Sequence, residues 1–168
     1  MNKEKILRRF IYILSFVFAF VLNGYSQSAT SLPNVTLEDT QGNSFSVGAS
    51  KGKPTMLVFW ATWCNCTRVL DQLNEVYSTW HSSYGLDIYS VSIDDNRSLS
   101  QVKPFVEQRN WDFVNLVDDK DKLKSTLKVT NPPHILLFDK EGNLVWQQLG
   151  HSSELIRNIS DELEKMKR

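Results

Sequence analysis

The sequence predicts an α/β fold in which a central mixed β-sheet is flanked by helices. Short apolar runs of strand length alternate along the chain with longer segments whose apolar residues recur every three or four positions, as in amphipathic helices. The last two apolar runs are separated by a turn at Glu141-Gly142, which predicts an antiparallel hairpin at one edge of the sheet. The sequence contains no glycine-rich phosphate loop and no internal repeat, which argues against nucleotide-binding and solenoid folds.

The first 26 residues have the pattern of a secretory signal peptide. Four basic residues lie within residues 1–10, an apolar stretch runs from Phe10 to Leu22, and small residues follow at Gly24 and Ser26. The apolar stretch is short for a membrane span. We therefore expect an exported, periplasmic protein that is cleaved after Ser26 and has one domain over residues 27–168. The alternative is an uncleaved N-terminal segment that anchors the domain to the membrane.

The charge balance argues against one class of partner. The chain has 19 Lys and Arg residues against 19 Asp and Glu residues, and no basic block follows the N-terminal segment. A nucleic-acid surface needs such a block, so we do not expect nucleic acid as a partner.

The first half of the domain predicts a hairpin, a buried strand and a long helix. Apolar residues between Val35 and Val47, interrupted at Gln41-Gly42-Asn43, predict two short strands around a turn. The run Thr55 to Trp60 predicts a buried strand. From Asn65 onward, apolar residues recur at helical spacing, and the predicted helix ends before Gly85.

The second half predicts four more strands and three helices. The strands are predicted by apolar or alternating runs at Leu86–Ile93, Phe113–Val117, His134–Phe138 and Leu144–Leu149. Ser98 is predicted to cap a helix in which Pro104 requires either a later start, near Lys103, or a kink. A charged helix over Asp118–Lys128 and a final helix capped by Ser152 or Ser153 complete the prediction.

The residues best suited to chemistry lie where the buried strand meets the long helix. The segment there is Phe59-Trp60-Ala61-Thr62-Trp63-Cys64-Asn65-Cys66-Thr67-Arg68, and it contains both cysteines of the chain. A thiol at such a junction lies near unpaired backbone N–H groups and the positive end of the helix dipole. This environment lowers a thiol pKa and increases the thiolate fraction, so we predict that Cys64 is a nucleophile. A disulfide across so small a loop constrains the unfolded chain little, which favours a chemical rather than a structural role for the two cysteines.

The run Phe-Trp-Ala-Thr-Trp-Cys at residues 59–64 resembles the active-site approach of the TlpA/ResA-type thiol-disulfide oxidoreductases of the thioredoxin superfamily. The resemblance implies a thioredoxin-like fold with an N-terminal β-hairpin extension. It also implies exchange with protein thiols or disulfides and an unidentified redox partner. The family continues with two residues and then a second cysteine. Here Cys66 comes one position early and Thr67 stands where the resolving cysteine belongs, whereas Arg68 matches the basic residue that often follows.

A second segment, Val129 to Phe138, also fits this family. The resemblance implies that Pro133 is a cis-proline facing the thiols, a register that Gly142 nine residues later supports. A stiff loop with trans bonds is the alternative. We expect Cys64, Cys66 and Pro133 to be catalytic, with Trp63, Pro132 and His134 at the substrate surface. The two residues after Cys66 would then be supporting: Thr67 as a hydrogen-bond donor to the Cys64 thiolate, and Arg68.

The cysteine spacing leaves three functional hypotheses open. Residues i and i+2 point to nearly opposite sides of a helix, so a Cys64–Cys66 bridge requires Cys64 and Asn65 to lie outside it. The favoured hypothesis is an oxidoreductase or isomerase without a cofactor, in which Cys64 attacks and Cys66 is an atypical partner. A monothiol protein, resolved by an external thiol, is the second. The third is a non-catalytic binding module, in one version binding Cu(I) through Cys64, Cys66 and His134.

Two further assignments concern nearby residues. A peroxiredoxin requires threonine three residues before its cysteine, where this chain has Ala61 and Trp63, so that class is set aside. Asp94 and Asp95 follow a predicted strand and are interpreted as an exposed turn, with a proton acceptor for the thiols as the less favoured alternative.

Overall fold

The computed structural model describes residues 30–167, so the predicted signal peptide lies outside the described residues. Within this range seven strands are present: β1 (Thr36–Asp39), β2 (Ser44–Ser46), β3 (Thr55–Trp60), β4 (Asp87–Ser92), β5 (Val114–Val117), β6 (His134–Phe138) and β7 (Leu144–Leu149). The α-helices are α1 (Thr67–Tyr84), α2 (Leu99–Arg109), α3 (Lys122–Thr126) and α4 (Leu155–Met166), and a short 3-10 helix spans Val47–Ser50. None of the helices in residues 30–167 combines the length and apolarity needed to span a membrane.

The strands form one mixed sheet in the order β2-β1-β5-β4-β3-β6-β7. Strands β3, β4 and β5 are parallel, whereas β6 is antiparallel to β3, and β7 is antiparallel to β6. The hairpin β1–β2 extends the other side of the sheet by antiparallel pairing of β1 with β5. The predicted mixed sheet, closing hairpin and N-terminal hairpin extension are therefore confirmed.

Strand β3 is the centre of both hydrophobic layers. All six of its residues are buried, and alternate side chains enter opposite faces of the sheet. One face packs against α1, α2 and α4, through residues that include Val69, Leu70, Leu73, Val102, Leu155 and Ile159. The other face packs against the N-terminal segment and α3, through residues that include Leu32, Leu37, Val47, Leu123 and Leu127. The Cys64 side chain contacts both clusters, so it lies where the two layers meet at the end of β3.

The predicted starts of three helices required correction. Helix α1 begins at Thr67 rather than Asn65, because the linked cysteines occupy the preceding turn. Helix α2 begins at Leu99 and includes Pro104, so the later start is wrong; Ser98 holds the cap position without a side-chain cap bond. The N-cap of α4 is Glu154, although the Ser152 hydroxyl does accept the Glu154 N–H at 3.1 Å.

The predicted charged helix over residues 118–128 is much shorter in the structure. Asp118 is only 1% exposed, and its carboxylate accepts the backbone N–H groups of Lys122 and Lys124 at 2.8 Å each. Asp121 and Lys128 adopt left-handed backbone conformations with φ of 52° and 55°. Because this conformation interrupts an α-helix, α3 is confined to the five residues Lys122–Thr126, which lie between Asp121 and Lys128.

Candidate active site

Cys64 and Cys66 are joined by a disulfide in the turn between β3 and α1. Their Cα atoms are 5.3 Å apart, and both Cys64 and Asn65 lie outside the helix, as a bridge at this spacing requires. The residue at the N-cap of α1 is Cys66, whose carbonyl oxygen accepts the Val69 N–H at 3.0 Å. The one-position shift of the second cysteine therefore places Cys66, rather than Cys64, directly at the helix terminus.

The two sulfur-bearing residues differ in accessibility. Cys66 is 0% exposed and belongs to the core cluster beside Val58 and Trp60. Cys64 is only partly buried. A thiol or disulfide that approaches from solvent therefore meets Cys64, while Cys66 is shielded by the core.

A closed turn holds Cys64 in place. The Ala61 N–H donates to the Cys64 Sγ atom at 3.4 Å, and the Cys64 N–H donates to the Ala61 carbonyl oxygen at 3.2 Å. A donor aimed at sulfur stabilises a thiolate more than a thiol. The first turn of α1 carries no acidic residue, and Arg68 in that turn is exposed. The dipole of α1 and the cation therefore also favour negative charge at this end of the helix.

The proline segment lies at the same edge of the sheet. His134, the first residue of β6, pairs with Phe59 near the end of β3, directly before the cysteine turn. The Pro132–Pro133 peptide bond is cis, and the Pro133 carbonyl oxygen accepts the Gly150 N–H at 2.8 Å. Pro132 has no backbone N–H, so this residue can offer an approaching chain only its carbonyl acceptor.

His134 faces a polar neighbour on the edge strand. Its Nε2 atom lies 3.2 Å from Oε1 of Gln147, and its Nδ1 atom is buried without a hydrogen-bond partner in the described part of the chain. No group of three or more His, Cys, Asp or Glu side chains within residues 30–167 is arranged to hold a metal ion. The copper alternative through Cys64, Cys66 and His134 therefore has no support in the geometry.

Trp63 is the most exposed large apolar side chain beside the cysteines. It is 63% exposed and borders a shallow groove together with Asp95, Arg97 and Ser98. Asp95 and Arg97 form an ion pair at 2.6 Å, and the hydrogen bonds from Arg97 lower the pKa of the Asp95 carboxyl.

Thr67, the first residue of α1, makes no hydrogen bond from its hydroxyl to Cys64 in the described structure.

Asp94 is the residue near the cysteines whose environment the sequence analysis predicts wrongly. Asp95 is exposed as expected, but Asp94 is 0% exposed, so the interpretation of this residue as part of an exposed turn is wrong. Its carboxylate accepts the N–H and the hydroxyl of Thr62 at 2.9 and 2.5 Å. The position of Asp94 just after β4 could have indicated this contact. Strand β4 is the parallel neighbour of β3, and adjacent parallel strands end at the same edge of a sheet.

Comparisons with known proteins agree with this architecture. The family model described as the AhpC/TSA family matches residues 29–147. The chain is 30% identical over 164 residues to thiol-disulfide oxidoreductase ResA of Bacillus thuringiensis strain Al Hakam, covering 92% of this chain and 93% of that protein.

Two solved structures are similar in fold. One is a thioredoxin-like protein from Porphyromonas gingivalis, with a TM-score of 0.69 and 26% identity, covering 83% of this chain and 94% of the other. The second is the thioredoxin domain of a thiol-disulfide oxidoreductase from Bacteroides vulgatus, with a TM-score of 0.68 and 26% identity, covering 82% of this chain and 99% of the other. The predicted thioredoxin-like fold is confirmed by these likenesses.

Proposed function

The chain belongs to the AhpC/TSA family of thioredoxin-like proteins, and we propose that it is an exported thiol-disulfide oxidoreductase that exchanges disulfides through Cys64. An oxidoreductase of this general class is supported by the ResA relatives. Beyond this general class, we propose the roles of the two cysteines, the export of the protein and the nature of its partners.

One observation carries the cysteine assignment: a partly exposed Cys64 is bonded to a fully buried Cys66. Disulfide exchange requires a thiolate to approach the attacked sulfur in line with the bond that breaks. Solvent reaches only Cys64, so an external thiolate attacks Cys64, and Cys66 departs. In the opposite direction the Cys64 thiolate attacks a substrate disulfide.

The proposed cycle begins with the reduced protein. The Cys64 thiolate attacks one sulfur of a substrate disulfide, which forms a mixed disulfide and releases the first substrate thiolate. Cys66 then transfers its proton to the released substrate thiolate, and the Cys66 thiolate attacks the Cys64 sulfur. The Cys64–Cys66 bond forms, the mixed disulfide breaks, and the second substrate thiolate leaves. The protein loses two electrons and the substrate disulfide gains them; the reverse sequence oxidises a substrate dithiol.

The position of Cys66 suits it to resolve the mixed disulfide by attacking the Cys64 sulfur. As the N-cap of α1, it lies at the positive end of an 18-residue helix with no competing carboxylate in the first turn. This placement stabilises the Cys66 thiolate both when it attacks and when it departs. A buried sulfur would otherwise resist ionisation, so the helix terminus offsets part of the burial cost.

The proposed substrates are protein thiols or disulfides in an exported compartment, with a separate redox partner that restores the starting state. The export proposal is supported by the signal-like pattern of residues 1–26. Trp63 and Pro132 are proposed to contact the substrate, because one is exposed next to Cys64 and the other is partly exposed at the adjoining strand start.

The test is a redox titration of residues 27–168. The protein is equilibrated in glutathione buffers of stepped thiol-to-disulfide ratio, quenched with an alkylating reagent and weighed by mass spectrometry. We expect one two-electron transition between the Cys64–Cys66 disulfide and the dithiol, together with catalysed reduction of insulin by dithiothreitol that Cys64→Ala abolishes. Accumulation of a glutathione adduct on Cys64 would instead support the monothiol hypothesis. Absence of any transition and of catalysis would support a binding module.

A further inference from the structure

We propose that Asp94 is a positioning residue that sets the reactivity of Cys64 by acting through Thr62. The inference rests on the proposed function of Cys64 and extends it to a carboxylate that does not touch the disulfide. Asp94 is the second residue after the end of β4, and Thr62 is the second residue after the end of β3. Since Trp60 pairs with Ser92 at the last ladder position, the contact between Thr62 and Asp94 continues the strand pairing beyond the point where the backbones separate.

The contacts of Asp94 are all of the kind that hold a carboxylate rigidly. One oxygen accepts the Thr62 hydroxyl at 2.5 Å. The other accepts the Thr62 N–H at 2.9 Å and the Ser92 hydroxyl at 2.8 Å. All three partners donate, which matches the acceptor-only carboxylate, and the residue is 0% exposed. Charge-assisted bonds of this kind are stronger than neutral ones, particularly away from water.

These contacts fix the segment that carries the donor to the sulfur. Two successive backbone N–H groups have different acceptors: that of Thr62 donates to Asp94, and that of Ala61 donates to the Cys64 Sγ atom. The peptide between Ala61 and Thr62 therefore cannot rotate without breaking the bond from the Thr62 N–H to Asp94. The same peptide carries the Ala61 carbonyl oxygen, which accepts the Cys64 N–H at 3.2 Å, so Asp94 also fixes the acceptor that holds the Cys64 backbone. We infer that Asp94 keeps Cys64 in the position where its sulfur meets the Ala61 N–H and so increases the Cys64 thiolate fraction.

The negative charge of a nearby carboxylate, by itself, lowers the thiolate fraction of a cysteine. The charge of Asp94 and its positioning of the turn therefore act on Cys64 in opposite directions, which makes the inference testable. If Asp94 acted only through its charge, its removal would favour the Cys64 thiolate. If Asp94 acts by positioning, its removal disfavours the thiolate. Asp94→Ala removes the charge and the contacts. Asp94→Asn removes the charge but keeps an oxygen for the Thr62 N–H, while its amide group can donate to a rotated Thr62 hydroxyl.

The experiment measures alkylation of Cys64 by iodoacetamide against pH in a Cys66→Ala background, where Cys64 is the sole cysteine. We expect Asp94→Ala to slow the reaction at pH 7 about tenfold, equal to one unit of thiol pKa, and to move the pH profile to higher pH. Asp94→Asn should retain the rate within about threefold, and Thr62→Val, which keeps the N–H contact, should slow it by about threefold. If Asp94→Ala does not fold, Thr62→Val tests the inference alone: slower alkylation supports it, and an unchanged rate contradicts it.

Asp118→Ala is the matched control. Asp118 is 1% exposed and accepts two backbone N–H groups, but those belong to the start of α3 rather than to the cysteine turn. It should lower the melting temperature and leave the Cys64 rate unchanged. The inference is overturned if Asp94→Ala and Asp94→Asn both accelerate alkylation, if the Asp94 and Thr62 variants all leave it unchanged, or if Asp118→Ala slows it as much as Asp94→Ala. A Cys64 of ordinary reactivity before any Asp94 change would instead count against the proposed function.

Discussion

Ala61 and Cys64 exchange two hydrogen bonds: the Ala61 N–H donates to the Cys64 Sγ atom at 3.4 Å, and the Cys64 N–H donates to the Ala61 carbonyl oxygen at 3.2 Å. This closed turn keeps Cys64 ahead of α1, while Cys66 occupies the helix N-cap and is 0% exposed. The pair therefore has an outer sulfur that reaches solvent and an inner sulfur that does not. The predictions below follow from this difference and from the surface around it.

The first prediction concerns the relative reactivity of the two thiols. In the reduced protein, a short pulse of iodoacetamide at pH 7 should label Cys64 at least about tenfold faster than Cys66, because reaction requires access as well as a thiolate. The label is located by tandem mass spectrometry of the peptide that contains both residues. Equal labelling of Cys64 and Cys66 would show that the reduced turn opens and would remove the distinction between outer and inner sulfur.

The second prediction concerns the missing donor at Pro132. An extended substrate that pairs with this segment finds a carbonyl acceptor but no N–H, because proline has none. Pro132→Thr supplies one donor, worth about 1 kcal/mol, and should lower the KM for a peptide disulfide about fivefold while leaving the rate with a small disulfide unchanged. An unchanged KM would show that substrates do not pair with this segment. Asn131→Thr, an exposed change one residue earlier, is the control.

The third prediction concerns Trp63, which is 63% exposed. Trp63→Ala should alter the free energy of unfolding by no more than about 0.5 kcal/mol, because an exposed side chain has little packing to lose. The rate with a peptide disulfide should fall about tenfold, since an aromatic anchor at an interface contributes more than 1 kcal/mol. Val145→Ala, at an edge-strand residue that is 39% exposed, should change neither quantity. Equal effects of both substitutions would argue against a substrate surface at Trp63.

The fourth prediction separates a chemical role of the disulfide from a structural one. Closing a loop of three residues stabilises the fold by about 1.6 kcal/mol in the chain-entropy account, against about 3 kcal/mol for a 15-residue loop. Reductant should therefore lower the melting temperature by only about 5 °C. A double variant, Cys64→Ala with Cys66→Ala, should melt at the same temperature with and without reductant. A loss of more than about 15 °C in the natural chain would identify the bridge as a structural staple.

The sequence was a reliable guide where local pattern decides structure. The bounds of β3, β6 and β7 agree with the predicted ranges, because each is an apolar or alternating run between turn residues. Pro133 and Cys64 were assigned to one site from the family resemblance, and the pairing of His134 with Phe59 brings those two segments to the same edge of the sheet.

The sequence was a poor guide where a distant partner decides structure. The sequence places Asp94 in an exposed turn, since its donor Thr62 lies 32 residues earlier and only the sheet brings the two residues together. The charges of residues 118–128 predicted a solvated helix, but Asp118 turns inward to accept backbone N–H groups. The start of α1 was misplaced because helical spacing continues through residues that the Cys64–Cys66 bridge keeps out of the helix.

The most direct test of the central claim is to trap the mixed disulfide. The reduced Cys66→Ala variant is mixed with a peptide disulfide, quenched in acid and mapped by mass spectrometry, with Cys64→Ala as the matched variant. We predict a stable adduct on Cys64 in the first variant and no adduct in the second, because Cys66 is buried. An adduct on Cys66 in the Cys64→Ala variant, formed as fast as that on Cys64, would contradict the assignment of Cys64 as the attacking sulfur.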